Sequence, residues 1–232
     1  MINILLCSDD DYYIQTLKEL SDYLSFRMEY CQFEAEFAQH LDEYCKHANI
    51  IFMDMKTKAH FDVSIELRKR GYEGELILLA DNNDYVFDIF EVRPMQYIEK
   101  GKTTRQCLAR IFLYAVRKIL KENNAAFIIK NRKALKVISA LEVLYFQIHG
   151  GRLTVHLVNQ KHHTFISSIK EFENKKGLIR VHRSCLVNVI HIKGIGPGPQ
   201  LLLTSGDSLR IGSSYLPRVK KLVSFLESDN IL

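Results

Sequence analysis

Short apolar runs alternate with longer amphipathic stretches through the first 120 residues of the chain. The apolar runs are short and nearly uninterrupted, which is typical of strands covered on both faces. The stretches between them repeat apolar side chains at helical spacing. Five strand–helix repeats of this kind predict a parallel sheet with helices on both faces. The predicted strands are 2–7, 28–33, 50–53, 76–80 and 95–98, and the predicted helices are 12–24, 35–46, 61–70, 83–92 and 103–120.

The second half of the chain has a different rhythm. Short strand-like runs follow one another at close spacing from residue 127 onward. Turn signals separate them, among them Gly150-Gly151 and the glycine- and proline-rich run 194–199. Only two stretches, 168–174 and 216–227, have helical spacing. This half is therefore predicted to be mostly β.

A polar run, KENNA, separates the two rhythms, and we place a first domain at 1–121, a linker at 122–126 and a second domain at 127–232. Charge changes at the same place. Residues 1–122 hold 16 Lys and Arg against 21 Asp and Glu (net −5), whereas residues 123–232 hold 16 against 6 (net +10). A basic domain gains affinity for phosphate backbones by releasing counterions. DNA, RNA and an anionic membrane surface all meet that requirement, so charge alone does not choose among them.

No run of about 18 uncharged apolar residues occurs, which argues against a membrane-spanning helix. The first residues, MINILLCSDDD, lack the basic flank and the small-residue cleavage site of a secretory signal peptide. The five cysteines are scattered and form no Cys-x-x-Cys pair, as expected of reduced thiols. We therefore expect a cytoplasmic protein that has no membrane partner.

Acidic residues follow or end two of the predicted strands, and a lysine follows another. Asp9 and Asp10 come after the first strand, Asp54 after the third, and Lys100 after the fifth. In an open parallel sheet the carboxyl ends of the strands share one edge, where ligands bind. Carboxylates that converge there repel one another unless a hard cation such as Mg²⁺ relieves the repulsion. A metal site beside a lysine suits a phosphoryl acceptor. Alternatively, the acids at 9–11 only cap the following helix.

This layout resembles the receiver domain of response regulators over residues 1 to 120. The segments IIFMDM and QYIEK carry the resemblance, because they match the strands that lead to the family's phosphoacceptor aspartate and to its lysine. The resemblance implies Mg²⁺-dependent phosphorylation of Asp54 by a sensor histidine kinase, with Lys100 beside the phosphoryl group. It also implies a metal pocket formed by Asp9, Asp10, Asp54 and the Lys56 carbonyl. The switch positions that it implies are Ala80 and Tyr97.

The sequence departs from the receiver pattern at three positions. Ser8 stands where the first of two acidic residues is expected, Ala80 where a hydroxyl side chain is expected, and Gly101 where a proline usually follows the lysine. These departures leave a second interpretation open, in which the regulator is independent of phosphorylation and its receiver serves only for dimerisation. A metal-dependent phosphatase is an alternative from another class. Such enzymes usually need an acid two residues after the nucleophile, where this chain has Lys56. We therefore predict a regulator and not an enzyme.

The run LIRVHRSCLVN at 178–188 concentrates basic side chains between apolar positions. It resembles the hallmark segment of LytTR DNA-binding domains, and further matches extend from residue 141 to residue 222. The resemblance implies an elongated β fold that presents loops, rather than a recognition helix, to successive DNA grooves. Arginine in such loops can read guanine edges. Carried over by position, DNA contacts are implied for His149, Gly151, Arg152, Arg180, His182, Arg183, Arg210, Ser213, Ser214 and Arg218.

These features together predict a DNA-binding transcriptional response regulator of a two-component system. The predicted fold is an α/β receiver with a five-stranded parallel, flavodoxin-like sheet, followed by a mostly β LytTR-type domain. The expected partners are promoter double-stranded DNA, a sensor histidine kinase, and a second copy of the chain in a homodimer on DNA. The expected cofactor is Mg²⁺. RNA stays an alternative ligand of the basic half, which competition with duplex DNA would decide.

Overall fold

The computed structural model divides into two compact units, one formed by Met1–Asp22 and Phe26–Ile119 and the other by Tyr23–Ser25 and Leu120–Leu232. No helix in the part of the chain that the structure describes is long and apolar enough to cross a membrane. The structure describes residues 2–24, 26–31, 43, 47–82, 85–86, 88–122, 125–130, 135–173, 175 and 177–226.

The first unit is built on a five-stranded parallel sheet with the strand order β2-β1-β3-β4-β5. This confirms the predicted α/β architecture. The predicted helix at 35–46 lies outside the described residues, except for Glu43. The described elements are β1 (Asn3–Cys7), α1 (Asp11–Leu24), β2 (Arg27–Cys31), β3 (Ile50–Met55), α2 (Lys58–Lys69), β4 (Glu75–Ala80), β5 (Gln96–Glu99) and α3 (Arg105–Glu122).

Strand β3 shows why the central runs are continuously apolar. All six of its residues are buried, and successive side chains point to opposite faces of the sheet. Phe52 stacks on Phe112 of α3, with ring centroids 6.3 Å apart. Its neighbours Ile51 and Met53 belong to a cluster with residues of α2. A strand covered by helices on both faces has no solvent side, and therefore it holds the one charged residue of β3, Asp54, in a buried position.

The predicted helix at 83–92 is wrong in the part of that segment that the structure describes. Those residues form turns. The guanidinium group of Arg68 donates hydrogen bonds to the carbonyl oxygens of Val92 (2.8 Å) and Arg93 (3.2 Å). The backbone at Pro94 has no N–H to extend a helix. The helical spacing of apolar residues therefore reflects packing against the core rather than a helix.

The second unit is mostly β, as predicted. It contains a five-stranded antiparallel sheet (β10-β9-β8-β12-β11), a three-stranded sheet (β13-β14-β15) and a two-stranded sheet (β6-β7). Its elements are β6 (Ala126–Lys130), β7 (Leu135–Ser139), β8 (Val143–His149), β9 (Arg152–Leu157), β10 (His162–Phe165), α4 (Lys170–Glu173), β11 (Leu178–His182), β12 (Cys185–Asn188), a 3₁₀ turn (Val189–His191), β13 (Ile192–Ile195), β14 (Gln200–Leu203), β15 (Ser208–Arg210) and α5 (Leu216–Leu226).

Asn188 ties the end of β12 to the start of β8. Its Nδ2 donates to the carbonyl oxygens of Ala140 (2.8 Å) and Val143 (2.9 Å). Its Oδ1 accepts from the Ile190 N–H (3.4 Å) and so caps the 3₁₀ turn. Because the side chain is only 3% exposed, these partners replace water at every polar atom. The residue that ends the predicted hallmark segment is thus an internal anchor of the sheet.

Candidate functional site

The acidic residues predicted to converge do lie at one edge of the parallel sheet. Strand β1 pairs with β3, β3 with β4 and β4 with β5, all in parallel. Their carboxyl ends therefore face the same side, with Ser8 and Asp9 after β1, Asp54 in β3 and Lys100 after β5. We call these four residues, together with Lys56, the strand-end pocket. The fold brings them within side-chain reach of one another.

Asp54 is the buried centre of the strand-end pocket, with 1% of its surface exposed. Its Oδ2 accepts a hydrogen bond from Ser8 Oγ (2.9 Å) and lies 2.5 Å from Lys100 Nζ. The Lys100 side chain is itself only 7% exposed, and its Nζ lies 3.7 Å from Asp81 Oδ1. The buried Oδ1 of Asp54 has no hydrogen-bond partner among the described residues. A buried carboxylate with one unsatisfied oxygen is therefore held beside a buried cation.

Lys56 and Asp9 form an ion pair at the mouth of the pocket, between Lys56 Nζ and Asp9 Oδ1. The hydrogen bond from Lys56 lowers the pKa of Asp9, and the same bond raises the pKa of Lys56. Both side chains contact solvent, with exposed fractions of 38% for Lys56 and 66% for Asp9. The sequence pointed to Lys56 only for its backbone carbonyl. Its ammonium group is a further component of the pocket.

Asp10 has a different environment from Asp9. Its Oδ1 accepts from the Tyr12 N–H at 3.0 Å, and its own N–H donates to Ser8 Oγ at 3.1 Å. An acid that accepts from the first turn of a helix is an N-terminal cap. The structure thus places the Asp10 carboxylate on the start of α1, in agreement with the alternative that the acids after the first strand cap that helix.

The remaining donor set fits Mg²⁺. The described residues contain no group of three or more His, Cys, Asp or Glu side chains arranged around one point. Mg²⁺, however, is typically held by one or two carboxylates together with waters. Asp9 and the unsatisfied Oδ1 of Asp54 supply two carboxylates. His60 fixes the backbone nearby, because its Nδ1 accepts from the Lys56 N–H at 3.1 Å. Burial lowers the pKa of His60.

The two predicted switch positions lie next to this pocket. Ala80 is fully buried and offers only its carbonyl oxygen, which accepts from the Lys100 N–H at 2.7 Å. Tyr97 is half-buried, and its hydroxyl donates to the Asn82 carbonyl oxygen at 2.6 Å. The Tyr97 side chain therefore contacts the backbone of the loop that follows β4. The side chain at position 80 adds no hydrogen bond to that contact.

In the second unit, the first predicted DNA loop is a two-residue hairpin turn. Strands β8 and β9 pair so that His149 lies opposite Arg152. The two residues between them, Gly150 and Gly151, have φ values of +55° and +74°. Two successive positive φ values are what a tight type I′ hairpin requires, and glycine adopts them without strain. The turn thus projects His149 and Arg152 as an adjacent pair at the end of the sheet.

The second predicted loop lies beside the first. Strands β11 and β12 pair His182 with Cys185, which leaves Arg183 and Ser184 as a two-residue turn. The Ile148 N–H donates to the Ser184 carbonyl oxygen at 2.8 Å, so this turn and the β8–β9 turn lie at the same end of the five-stranded sheet. Arg183 is exposed at the tip.

Arg180 and His182 hold that turn from within. The Arg180 guanidinium donates from Nε to the His182 carbonyl oxygen (3.0 Å) and from a second nitrogen to the Arg183 carbonyl oxygen. It also pairs with Glu173 at 3.0 Å. His182 Nδ1 lies 2.7 Å from Ser184 Oγ. The guanidinium group of Arg180 is hydrogen-bonded within the β11–β12 turn, whereas Arg183 is exposed. Sequence position alone did not reveal this difference between the two arginines.

The third predicted loop reaches the same end of the sheet. The Gly212 N–H donates to the Val181 carbonyl oxygen at 2.9 Å, which places the loop against β11. Ser213 and Ser214 are exposed just before α5, and so are Arg210 at the end of β15 and Arg218 on α5. Three loops that are far apart in sequence therefore form one surface. We call it the loop surface, and it consists of His149–Arg152, His182–Ser184 and Arg210–Ser214.

Comparisons with known proteins agree with this two-part architecture. Residues 133–224 match the model of the LytTr DNA-binding domain family. The chain is 22% identical to the transcriptional regulatory protein LytR of Staphylococcus aureus, over 77% of this chain and 81% of that protein. It is 22% identical to the sensory transduction protein LytT of Bacillus subtilis, over 96% and 99%.

Among solved structures, a LytTr DNA-binding domain from Bacillus cereus is 28% identical and covers 42% of this chain and 94% of that chain, with a TM-score of 0.36. The family model matches the second unit, and the similarity to LytR and LytT extends into the first unit, which contains the parallel sheet. Residues 133–224 form a LytTR DNA-binding domain. It follows an α/β unit with the five-stranded parallel sheet of a receiver, and the chain as a whole is similar to LytR and LytT.

Proposed function

We propose that the loop surface is the face that contacts promoter double-stranded DNA. The observation that carries this proposal is that three predicted loops meet at one end of the second unit, where Arg152, Arg183 and Arg210 are exposed. None of these three arginines forms an ion pair with a described residue. Uncompensated guanidinium groups at a protein surface suit phosphates and guanine edges. The net charge of +10 in this half supports the same proposal.

Within this proposal the individual residues have different roles. Arg183 and Arg152 contact base edges or phosphates, because both side chains extend from turns. His149, Gly151, Ser213 and Ser214 approach the backbone of the duplex, and Arg210 and Arg218 contribute phosphate contacts at the margin. Arg180 and His182 position the β11–β12 turn through the hydrogen bonds described above.

For the receiver we propose that Asp54 accepts a phosphoryl group from a sensor histidine kinase in the cytoplasm. The unsatisfied Oδ1 of Asp54 supports this role. An O–P bond forms there as the P–N bond of the donor phosphohistidine breaks, and the electron pair of that bond returns to the imidazole. Lys100 neutralises charge on the phosphoryl oxygens. Mg²⁺ held by Asp9, Asp54 and the Lys56 carbonyl, when bound, supplies further positive charge to that group.

Asp54 is almost fully buried, so the side chains over it must move before a donor reaches it. We propose that this movement, transmitted through the contact between Tyr97 and the loop after β4, favours a homodimer that places two loop surfaces on neighbouring DNA sites. Linking two weak sites raises the overall affinity for DNA without any new contact to a base.

A DNA-binding measurement tests both halves of the proposal. Sequences selected from random duplex DNA define the site, and gel shifts then compare wild-type protein with Asp54→Ala before and after treatment with a small phosphodonor. We expect tighter binding by the treated wild type only, on sites with two regularly spaced half-sites. Equal affinity in all four samples would remove phosphorylation control and leave DNA binding intact. If the selection enriches no DNA sequence at all, the proposal that the loop surface binds DNA is refuted.

The second interpretation is a regulator that is independent of phosphate, in which the receiver serves only for dimerisation. Ser8 and Ala80 favour it, because one carboxylate and one hydroxyl of the receiver pattern are replaced. Intact-mass spectrometry after exposure to a phosphodonor separates the two interpretations. Phosphate on wild type but not on Asp54→Ala supports the switch, whereas an unmodified wild type supports the fixed dimer.

A further inference from the structure

The ammonium group of Lys56 occupies a position in the strand-end pocket where positive charge is needed. We propose that Lys56 is a tethered cation that competes with Mg²⁺ for the Asp9 carboxylate. This inference rests on the metal site proposed above. It assigns to the Lys56 side chain a role opposed to that of its own backbone carbonyl, which is one of the proposed metal ligands.

Each carboxylate of the strand-end pocket is paired with an ammonium group without any metal ion, and the exposed Asp81 contacts Lys100 from outside the pocket at 3.7 Å. The two carboxylates of the pocket, Asp54 and Asp9, contact two ammonium groups, Lys100 and Lys56 respectively. The neutral Ser8 stands beside Asp54 where a further carboxylate would add negative charge. Converging carboxylates attract a dication because they repel one another. In this pocket that repulsion is already offset, so an incoming ion gains less than it would at two unpaired acids.

Geometry allows Lys56 to leave while its backbone stays. The Lys56 N–H is fixed by His60, so the end of β3 is held independently of the side chain. The side chain itself extends into solvent at the mouth of the pocket, next to an Asp9 that is two-thirds exposed. The ammonium group contacts Oδ1 of Asp9, so a dication that binds this carboxylate is brought against a like charge, and repulsion favours displacement of the lysine. The lysine can then turn outward, since no fold contact among the described residues depends on the pair.

The expected size of the competition is moderate. Ion pairs between solvent-exposed side chains are weak, because water screens the charges and both chains lose rotamer freedom. Repulsion between a dication and a neighbouring ammonium adds to the cost of displacing the pair. We therefore expect removal of the Lys56 charge to tighten metal binding roughly tenfold, not by several orders of magnitude.

Metal binding to the full-length, unphosphorylated protein tests the inference without any measurement of activity. Mn²⁺, an oxygen-seeking dication like Mg²⁺, is titrated into the protein, and the free ion is followed by electron paramagnetic resonance, with Mg²⁺ as the competitor. The variants are Lys56→Met, which removes the charge and keeps an unbranched side chain of nearly the same length, and Lys56→Arg, which keeps the charge. Lys58→Met is the matched control, because it removes the same charge from an exposed position two residues away.

We expect Lys56→Met to bind Mn²⁺ about tenfold more tightly than wild type. Lys56→Arg and Lys58→Met should resemble wild type. Asp9→Asn introduced into Lys56→Met should cancel the gain. If wild type and Lys56→Met bind Mn²⁺ equally, and Asp54→Ala abolishes the binding, the competition is refuted while the proposed metal site stands. If no variant binds Mn²⁺ through Asp9 and Asp54, the competition and the metal site both fail.

Discussion

Asn188 in the second unit and Asp54 in the first are buried polar side chains of the same size, and their hydrogen bonds are satisfied in opposite ways. Asn188 in the second unit makes hydrogen bonds through both Nδ2 and Oδ1, to the backbone of residues far away in sequence. Asp54 in the receiver has Ser8 and Lys100 on one oxygen and no described partner on the other. Both residues are at most 3% exposed.

This difference distinguishes a residue that stabilises the fold from one that is available for a ligand or a reaction. A neutral amide with every hydrogen bond made stabilises the fold and has no capacity left for a ligand. A carboxylate with one oxygen unpaired is costly to bury, and such a cost is found where a ligand or a reaction makes use of it. The same contrast applies to the charged surfaces, because Asp9 is neutralised within the receiver by Lys56 whereas Arg183 faces solvent.

The largest effect is expected from exchanging the amide of Asn188 for a carboxylate. Asn188→Asp places oxygen atoms against the carbonyl oxygens of Ala140 and Val143, which lose their donor. We expect the free energy of unfolding of the second unit to fall by about 4 kcal/mol, because a buried charge and two unsatisfied acceptors replace a complete network. Hydrogen exchange of amides in β8 and β12 measures this change separately from the receiver.

The matched control is Asn159→Asp, the same exchange at an exposed turn. There Oδ1 accepts from the Lys161 N–H, and a carboxylate can do the same. Its effect should stay below about 0.5 kcal/mol. Equal protection of β8 in the wild type and in Asn188→Asp would contradict the architectural role and would erase the contrast with Asp54.

A smaller effect is expected on DNA affinity when Arg183, one of the exposed arginines of the loop surface, is removed. Arg183→Ala should weaken binding to the selected site roughly tenfold to a hundredfold, as expected for one good contact to a base. Lys161→Ala is the control, because Lys161 is exposed in the β9–β10 turn at the opposite end of the same sheet. Gel shifts at several salt concentrations measure both variants. An equal loss of affinity in the two variants would mean that only net charge matters.

Arg180→Ala sharpens the same test. Its guanidinium is engaged by the carbonyl oxygens of His182 and Arg183. We therefore expect this variant to lose protection in the β11–β12 turn as well as DNA affinity, whereas Arg183→Ala should lose affinity alone. If Arg180→Ala weakens DNA binding with no change in hydrogen exchange, Arg180 contacts DNA directly and its assigned positioning role is wrong.

The architecture was predictable because strands buried on both faces leave an unmistakable apolar run, as in β3 and β4. Parallel strand direction alone predicted that the acidic residues and the lysine would meet at one edge of the sheet. The failed helix at 83–92 shows the limit of periodicity, since apolar spacing did not reveal that Arg68 takes the carbonyl oxygens of Val92 and Arg93.

The hydrogen-bond partners of Asn188 and the ion pair of Lys56 could not be predicted from the sequence for a similar reason. The partners of Asn188 lie 45 and 48 residues away, so its position at the end of a motif gave no sign of the bonds it makes. Lys56 was placed by its backbone, and nothing in its spacing indicated that its ammonium group would meet Asp9. The partner of a long side chain at a sheet edge depends on tertiary geometry, and the local sequence pattern does not contain that information.

The smallest effect is expected from the reciprocal exchange in the receiver. Asp54→Asn keeps an oxygen for Ser8 and Lys100, and Lys100 still has Asp81 at 3.7 Å. Breaking a buried ion pair typically costs about 3–5 kcal/mol. Here the stability of β3 and β5 should fall by only about 1 kcal/mol, because Asp81 partly compensates the Lys100 charge and the amide oxygen of the variant still accepts from Ser8 and Lys100. Hydrogen exchange of amides in β3 and β5 gives the value. A loss as large as that of Asn188→Asp would show that Asp54 is as architectural as Asn188, and its unpaired oxygen would then no longer distinguish a reactive residue from a structural one.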